Sequence, residues 1–281
     1  MKKKNTCTIS GILMLLLTYP ACSQHSREPA ATISVATYNI HHTRSSYHGV
    51  RNAIRSLNAD IVALQEVPVR NGTDYSGRLA RDLGYRHISG GMYYRQNRRS
   101  GWVLSFLSRY PVSSKKEILL SGSRRALRID IKIKNQPLAV ITTHLSPFVL
   151  SRNIIGDNRA RSALRKNQIS EILRWTGNAA RPAVIMGDMN SIYLMGELTP
   201  FPDNRFFDVF DSSSTDCPGT FPLAPSMRRK IQKVVPFAPS VITLDYIFVS
   251  PGIEVISAGV KKSTASDHYP VTATLRIKKG A

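Results

Sequence analysis

Acidic side chains are scarce in this sequence. Its 281 residues hold 18 Asp and Glu against 39 Lys and Arg, a formal net charge of +21, so the folded surface carries a positive field that attracts phosphates or an anionic membrane face. An acidic partner is expected. Cysteine is scarcer still, with three. Cys7 lies in a leader-like segment and Cys22 near its end, so no disulfide framework can be built, and Cys217 is read as a small loop or core side chain. No apolar run is long enough to cross a bilayer. The 16 Pro and 17 Gly are spread along the chain, which excludes a helix bundle and implies many turns and short elements. With 42% hydrophobic and 20% charged residues, disorder, collagen and coiled coil are excluded as well. What remains is one large α/β domain, since the length is too short for two ordinary ones.

Lys2, Lys3 and Lys4 precede the apolar stretch Gly11-Ile12-Leu13-Met14-Leu15-Leu16-Leu17, the charged and hydrophobic parts of a bacterial export signal. Residues 1–21 are therefore read as an address, 22–31 as a flexible N-terminal segment and 32–279 as a single domain. The protein is expected to leave the cytoplasm for the periplasm, a membrane surface or the medium. Two readings of Cys22 stand side by side. Behind Pro20-Ala21 it occupies the lipid-accepting position of a lipoprotein signal, with Tyr19 bulkier than such a signal usually tolerates; alternatively, cleavage near Ala21 or within 23–31 leaves it inert or removes it. Loss of the leader removes three Lys and no acid, so about +18 stays on the domain.

Thr32–Ile40 alternates as a half-buried strand, Val50, Ile54 and Leu57 recur at helical spacing, and Asp60–Leu64 reads as a short buried strand, a β-α-β opening. Tyr75–Leu83 predicts a short helix and Trp102–Leu107 a strand. Leu127, Ile129, Ile131 and Ile133 alternate with Arg128, Asp130, Lys132 and Lys134, and Asn135-Gln136-Pro137 turns this strand into Leu138–Thr143. Arg159–Thr176 is the longest helical candidate; Ala183–Met186, Val241–Val249, Ile253–Val260 and Val271–Ile277 read as strands. Ser191–Pro239 has little periodicity and reads as long loops over the sheet rim.

The chemistry sits at the strand ends. Asn39 closes the first strand and Glu66 the second, Asp188 and Asn190 follow the strand ending at Met186, Asp245 lies in Leu244–Phe248, and Asp267-His268 precedes the last strand. Acidic and amide side chains are disfavoured inside buried strands, so their repeated placement at strand ends suggests one shared rim. Together they offer hard oxygen ligands suited to Mg²⁺ or Mn²⁺, with Ca²⁺ open. Taken singly, an Asp before a turn is more often a cap, and a His beside an Asp more often a surface pair.

As a set and in this order, these residues resemble the endonuclease/exonuclease/phosphatase superfamily, the DNase I-like fold. The resemblance runs from Thr37 to about Leu275, through Thr37-Tyr38-Asn39, Leu64-Gln65-Glu66-Val67, Leu107-Ser108-Arg109-Tyr110-Pro111, Thr143-His144-Leu145-Ser146-Pro147, Gly187-Asp188-Met189-Asn190, Gly219-Thr220-Phe221-Pro222, Asp245-Tyr246-Ile247-Phe248-Val249-Ser250 and Ser266-Asp267-His268-Tyr269-Pro270-Val271. It implies an α+β fold, a four-layer α/β sandwich of two stacked mixed β-sheets flanked by helices, that cleaves phosphate esters with a divalent metal. Carried over motif by motif, it makes Glu66 the principal metal ligand with Asn39 and Asp267 near the ion. Asp188 and Asn190 would position or deprotonate the attacking water. His268 would contact the phosphate or act as acid/base, Asp245 would hold its other N–H, and His144 would face the phosphate from the opposite side. Arg125 matches a position where relatives often carry a phosphate-contacting Arg, although an Arg before a strand is usually a solvated edge charge.

Arg165 and Gln168 match a recurrent helix pattern and are read as buried structural hydrogen-bonding residues. His41 and His42 fall near the expected site and stay outside the catalytic set. Arg86–Arg99, with Tyr93, Tyr94, Arg95, Arg98 and Arg99, suits base stacking and phosphate contact or a solvated loop; Met227-Arg228-Arg229-Lys230 with Lys233 suits the same groove or an anionic lipid surface. The expectation is an exported metal-dependent phosphodiesterase, a nuclease acting on DNA or RNA as a monomer. The alternative is hydrolysis of inositol phosphates or lipid headgroups such as sphingomyelin. A binding module on the same fold is disfavoured, because a carboxylate cluster repels phosphate when no metal is present.

Overall fold

The computed structural model describes residues 31–41, 46–148, 154–177, 181–192, 196–213, 215–233, 237 and 239–278. The leader, Cys7, Cys22 and His42 lie outside them. Two sheets stack face to face. The first runs in the order β15 (Ile253–Val260), β16 (Val271–Ile277), β1 (Ala31–Asn39), β2 (Ile61–Arg70), β6 (Gly101–Ser108), β4 (Arg86–Ser89), with β3 (Thr73–Asp74) on β2 and β5 (Tyr94–Arg95) on β6. The second runs β11 (Phe207–Asp208), β14 (Asp245–Val249), β10 (Ala183–Asp188), β9 (Gln136–His144), β8 (Arg124–Ile133), β7 (Val112–Leu120). Each sheet is mixed: β1 is parallel to β2 and antiparallel to β16, and β10 is parallel to β9 and antiparallel to β14.

Period-2 alternation sorts the apolar side chains into three layers of core. Ile33 and Val35 of β1 and Ile61 and Ala63 of β2 meet Leu127, Ile129, Val140, Val184, Met186 and Ile247 between the sheets. The opposite faces pack on helices. Ala36, Tyr38, Val62 and Leu64 cover Val50 and Ile54 of α1 (Tyr47–Leu57) and Leu79 and Ala80 of α2 (Tyr75–Leu83). Ile141, Ile185 and Phe248 cover Ile169, Ile172 and Leu173 of α3 (Ile154–Thr176), with Phe201 of α4 (Pro200–Asp203) stacked on Phe248 at 3.8 Å. The result is the four-layer α+β sandwich. Among the described residues, no helix is long and apolar enough to cross a membrane.

Several expectations change. Ser191–Pro239 holds short elements as well as loops: α4, β11, α5 (Val209–Ser213), β12 (Phe221–Pro222) and α6 (Pro225–Gln232). They are too short to show a period. Val241–Val249 is two strands, because Thr220 Oγ1 accepts from Leu244 N (3.0 Å) and Asp245 N (3.1 Å) and diverts the chain there; β13 (Val241–Ile242) pairs with β12, and β14 joins the second sheet. β2 continues past Leu64 to Arg70, α3 starts at Ile154, and β7 was not expected, its mixed exposure giving no clear alternation.

Candidate active site

The alternation that builds the inter-sheet core also builds the site. Val184 and Met186 face the other sheet, so two residues on Asp188 does too; Leu138, Val140 and Thr142 lead to His144, and Val249 and Ile247 lead back to Asp245. Register then brings them level, Asp188 opposite Asp245 on one side and His144 on the other. Asn39 ends β1 on the matching face of the first sheet. Gly187 allows the approach: with φ +151, a Cβ there would lie 2.1 Å from Thr143 O. Glu66 would by parity face the helices. A bulge between Leu64 and Val67 and a left-handed backbone at Glu66 (φ 54) turn it to the rim instead. His41 (φ 39) and Asn190 (φ 48) share that conformation, and such strain concentrates at functional sites.

Asp188 is the hub. Its Oδ2 accepts from Asn39 Nδ2 at 2.9 Å and lies 3.5 Å from His144 Nε2 and 3.8 Å from His268 Nε2. Its Oδ1 accepts from Asn190 N at 2.9 Å, and Asn190 Nδ2 donates to Leu145 O at 3.2 Å. Asn39 Nδ2 also reaches Glu66 Oε1 at 3.3 Å, and Glu66 Oε1 is 4.0 Å from His144 Nε2. His268 Nδ1 bonds Asp245 Oδ2 at 2.8 Å, and Phe221 covers its ring at 4.8 Å. Asp267 reaches the group through His41, whose Nδ1 is 3.2 Å from Asp267 Oδ2 and 3.9 Å from Glu66 Oε2. Glu66, Asp188 and Asp267 thus belong to one connected constellation.

The two imidazoles differ in charge. Burial works against protonating His268, but Asp245, Asp188, the bond to Asp245 and Asp267 together outweigh it and push its pKa up to about 10. It is an imidazolium at neutral pH. Burial pushes His144 below its ordinary value; Asp188 opposes the change and Arg124 adds to it. His144 is neutral, and its tautomer follows from Tyr93. The Tyr93 hydroxyl accepts from Glu66 N at 3.0 Å and lies 3.0 Å from His144 Nδ1. Donation of the hydroxyl proton to Nδ1 puts the His144 proton on Nε2, facing Asp188. Burial raises the Asp188 carboxyl, with His268 and His144 acting against the rise.

Two sets of ligands could hold a cation. Asp188, Asp245 and His268 offer atoms within 4.8 Å of one another, and Asp245 Oδ1 is buried there with no hydrogen-bond partner among the described residues. All three are buried, however, whereas Mg²⁺ keeps several of its waters. Glu66 and Asp267, with side chains 13% and 31% exposed, offer carboxylates open to water beside Asn39 and His41. Their chemistry fits a hard divalent ion.

Arg125 is engaged by a carboxylate. Its guanidinium donates to Glu117 Oε2 at 3.1 Å, the same carboxylate that accepts from Gly91 N. Its neighbour Arg124 comes closer to the site, with Cζ 5.5 Å from the centroid of the Tyr93 ring. Arg165 and Gln168 are buried structural groups: Arg165 pairs with Glu197 at 2.6 and 2.8 Å, and Gln168 accepts from Ser146 N at 3.1 Å. Sequence reading missed Tyr93 as a site residue. It lay in a segment read as base-stacking or solvated, yet the ring is buried against His144 at 5.5 Å. The exposed part of that segment includes Tyr94, Arg95, Arg98 and Arg99, with Tyr94 stacked on Trp102 at 4.3 Å.

Residues 36–268 match the sequence profile of the endonuclease/exonuclease/phosphatase family. The chain belongs to that family. Its fold is similar to that of an endonuclease/exonuclease/phosphatase from Bacteroides vulgatus, at 21% identity over 88% of this chain and 99% of that chain, with a TM-score of 0.67. It is also similar to the family protein from Beutenbergia cavernae DSM 12333, at 20% identity over 88% and 72% of the two chains and a TM-score of 0.67. A third match is D. rerio TDP2 complexed with single strand DNA product, at 17% identity over 87% and 98% and a TM-score of 0.64. No curated protein matches the chain. Family membership supports phosphoric ester hydrolysis as the chemistry of this site.

Proposed function

We propose that this chain is an exported, divalent-metal-dependent phosphodiesterase acting on nucleic acid. The observation that carries the reading is the convergence of two imidazole Nε2 atoms on the Asp188 carboxylate, at 3.5 and 3.8 Å, beside the open carboxylates of Glu66 and Asp267. Glu66, Asp267 and Asn39 would hold Mg²⁺ or Mn²⁺, which when bound polarises a phosphoryl oxygen and offsets the negative charge of this end of the sandwich. Asp188, its carboxyl raised by burial, accepts the proton of an attacking water that Asn190 helps to orient. His268, held charged by Asp245, donates from Nε2 to a phosphate oxygen. His144 Nε2–H stabilises the charge that develops on the far side of phosphorus.

A polynucleotide suits the surface. The net charge is +21, the stacked Tyr94–Trp102 pair lies among exposed Arg95, Arg98 and Arg99, and α6 presents Arg228, Arg229 and Lys230 to solvent. The single-stranded DNA product bound by D. rerio TDP2 is consistent with this substrate class. Export rests on the leader-like residues 1–21. The test is a panel of DNA, RNA, inositol phosphates and sphingomyelin, run with Mg²⁺, Mn²⁺ or Ca²⁺ and with EDTA, on the chain and on Glu66→Ala. Cleavage of DNA or RNA that EDTA and the substitution both abolish is expected. Intact nucleic acid in every metal, with release from the small or lipid esters, overturns the substrate and favours the phosphatase reading.

A further inference from the structure

Beside the catalytic rim lies an open cleft of about 730 Å³, bounded by Gly122, Arg124, Ser146, Pro147 and, from α3, Arg161 and Leu164. Its wall is rigidly made. Gln168 Nε2 donates to Ser146 Oγ at 2.9 Å and to Ser121 O at 2.6 Å, and Arg165 Nη1 donates to Ser146 O at 3.1 Å. Arg165 has its carboxylate in Glu197. Arg124 and Arg161 do not: among the described residues no Asp or Glu oxygen lies within 4.0 Å of either guanidinium. Arg161 Nη1 makes one long bond, 3.4 Å to Pro147 O, and Arg124 makes a face contact with Tyr93. Burial lowers the pKa of Arg124; Tyr93, Asp188 and Glu66 oppose the change, and the charge of Arg161 adds to it. Two like charges thus share one partly buried cleft, neither paired at ion-pair distance with a carboxylate among the described residues, and an anion that joins both offsets their mutual repulsion.

We propose that this cleft is a second anion subsite, holding on Arg124 and Arg161 a phosphate that adjoins the scissile one. The inference rests on the phosphodiesterase reading and narrows its substrate to a strand with successive phosphates, since paired guanidinium forks match phosphate oxygens bidentately. Arg124, at the edge of the catalytic rim and of the cleft alike, links the two positions.

Binding of inorganic pyrophosphate to the full chain, followed by calorimetry in EDTA and physiological salt, tests the subsite without turnover; under those conditions the catalytic carboxylates repel an anion. The expected result is saturable binding that Arg161→Ala weakens about tenfold, Arg161→Lys weakens less, and Lys132→Ala, the same charge removed from β8 away from the cleft, leaves within about twofold. Equal binding by Arg161→Ala, or an equal loss in Lys132→Ala, overturns it, as does no binding by the parent chain. With metal, the ratio of kcat/KM for a trinucleotide to that for bis-p-nitrophenyl phosphate should fall about tenfold in Arg161→Ala; an unchanged ratio also overturns the subsite. If neither ester is hydrolysed, the phosphodiesterase reading fails and the pyrophosphate titration still decides the cleft.

Discussion

Asp245→Asn asks whether the charge on His268 depends on its buried neighbour. The rise from the ordinary 6.5 to about 10 corresponds to about 5 kcal/mol in favour of the charged ring, at about 1.4 kcal/mol for each tenfold change. Asp245 is the largest of the charges that raise it and also accepts the Nδ1 proton at 2.8 Å. An amide keeps an acceptor there and removes the charge. A loss of about 3 kcal/mol, in the range of a charge-assisted bond, lowers the His268 pKa by about two pH units. The sign is fixed: a folded pKa above the unfolded one gives stability that is full below the unfolded value and lost as pH rises through about 10. The substitution shrinks that window from its alkaline side. Ring-proton NMR titration in EDTA reads the pKa, and urea unfolding across the alkaline range reads the stability. With metal, kcat should fall as pH rises through about 8, a range in which the parent keeps a charged ring and its rate. A His268 titration that stays near the parent value, with an unchanged alkaline profile, refutes the charge assignment.

Other substitutions follow from the same geometry. Tyr93→Phe removes the acceptor of Glu66 N–H and the donor to His144 Nδ1, so kcat should fall about 10- to 100-fold with KM nearly unchanged; activity within about twofold of the parent would show that the hydroxyl does not set the tautomer. Arg165→Met leaves Glu197 buried without its cation, which should cost about 3–5 kcal/mol by urea unfolding; a cost under about 1 kcal/mol would mean the pair is exposed in solution. Gly187→Ala drives a Cβ into Thr143 O and should destabilise the fold by about 3 kcal/mol or more. A soluble variant with an unchanged unfolding midpoint contradicts the packing of β10 on β9.

Much of this architecture is legible in two-residue periodicity. Ile129 and Ile131, Val140, Val184 and Met186, and Ile247 alternate cleanly, and extending the same parity places His144, Asp188 and Asp245 on one inner face without any contact map. Whatever depends on departures from parity stays hidden. Glu66 needs the bulge after Leu64 to turn toward the rim. Tyr93 stands just before β5, a two-residue strand fixed by its partner β6 rather than by its own sequence. Arg124 and Arg125 look alike in sequence, but alternation along β8 separates them. Arg125 falls in phase with Leu127 and Ile129 and meets Glu117, while Arg124 lines the cleft beside α3. His41 reaches both carboxylates because the chain turns left-handed after β1.

The central claim is that one hard cation at Glu66 and Asp267 grips a phosphate ester between His144 and His268. Anomalous diffraction from crystals soaked in Mn²⁺ tests it most directly. The account predicts a single strong peak within ligand distance, about 2.2 Å, of Glu66 and Asp267 carboxylate oxygens, absent in Glu66→Ala. A peak enclosed by Asp188, Asp245 and His268, or none at this end of the sandwich, contradicts it.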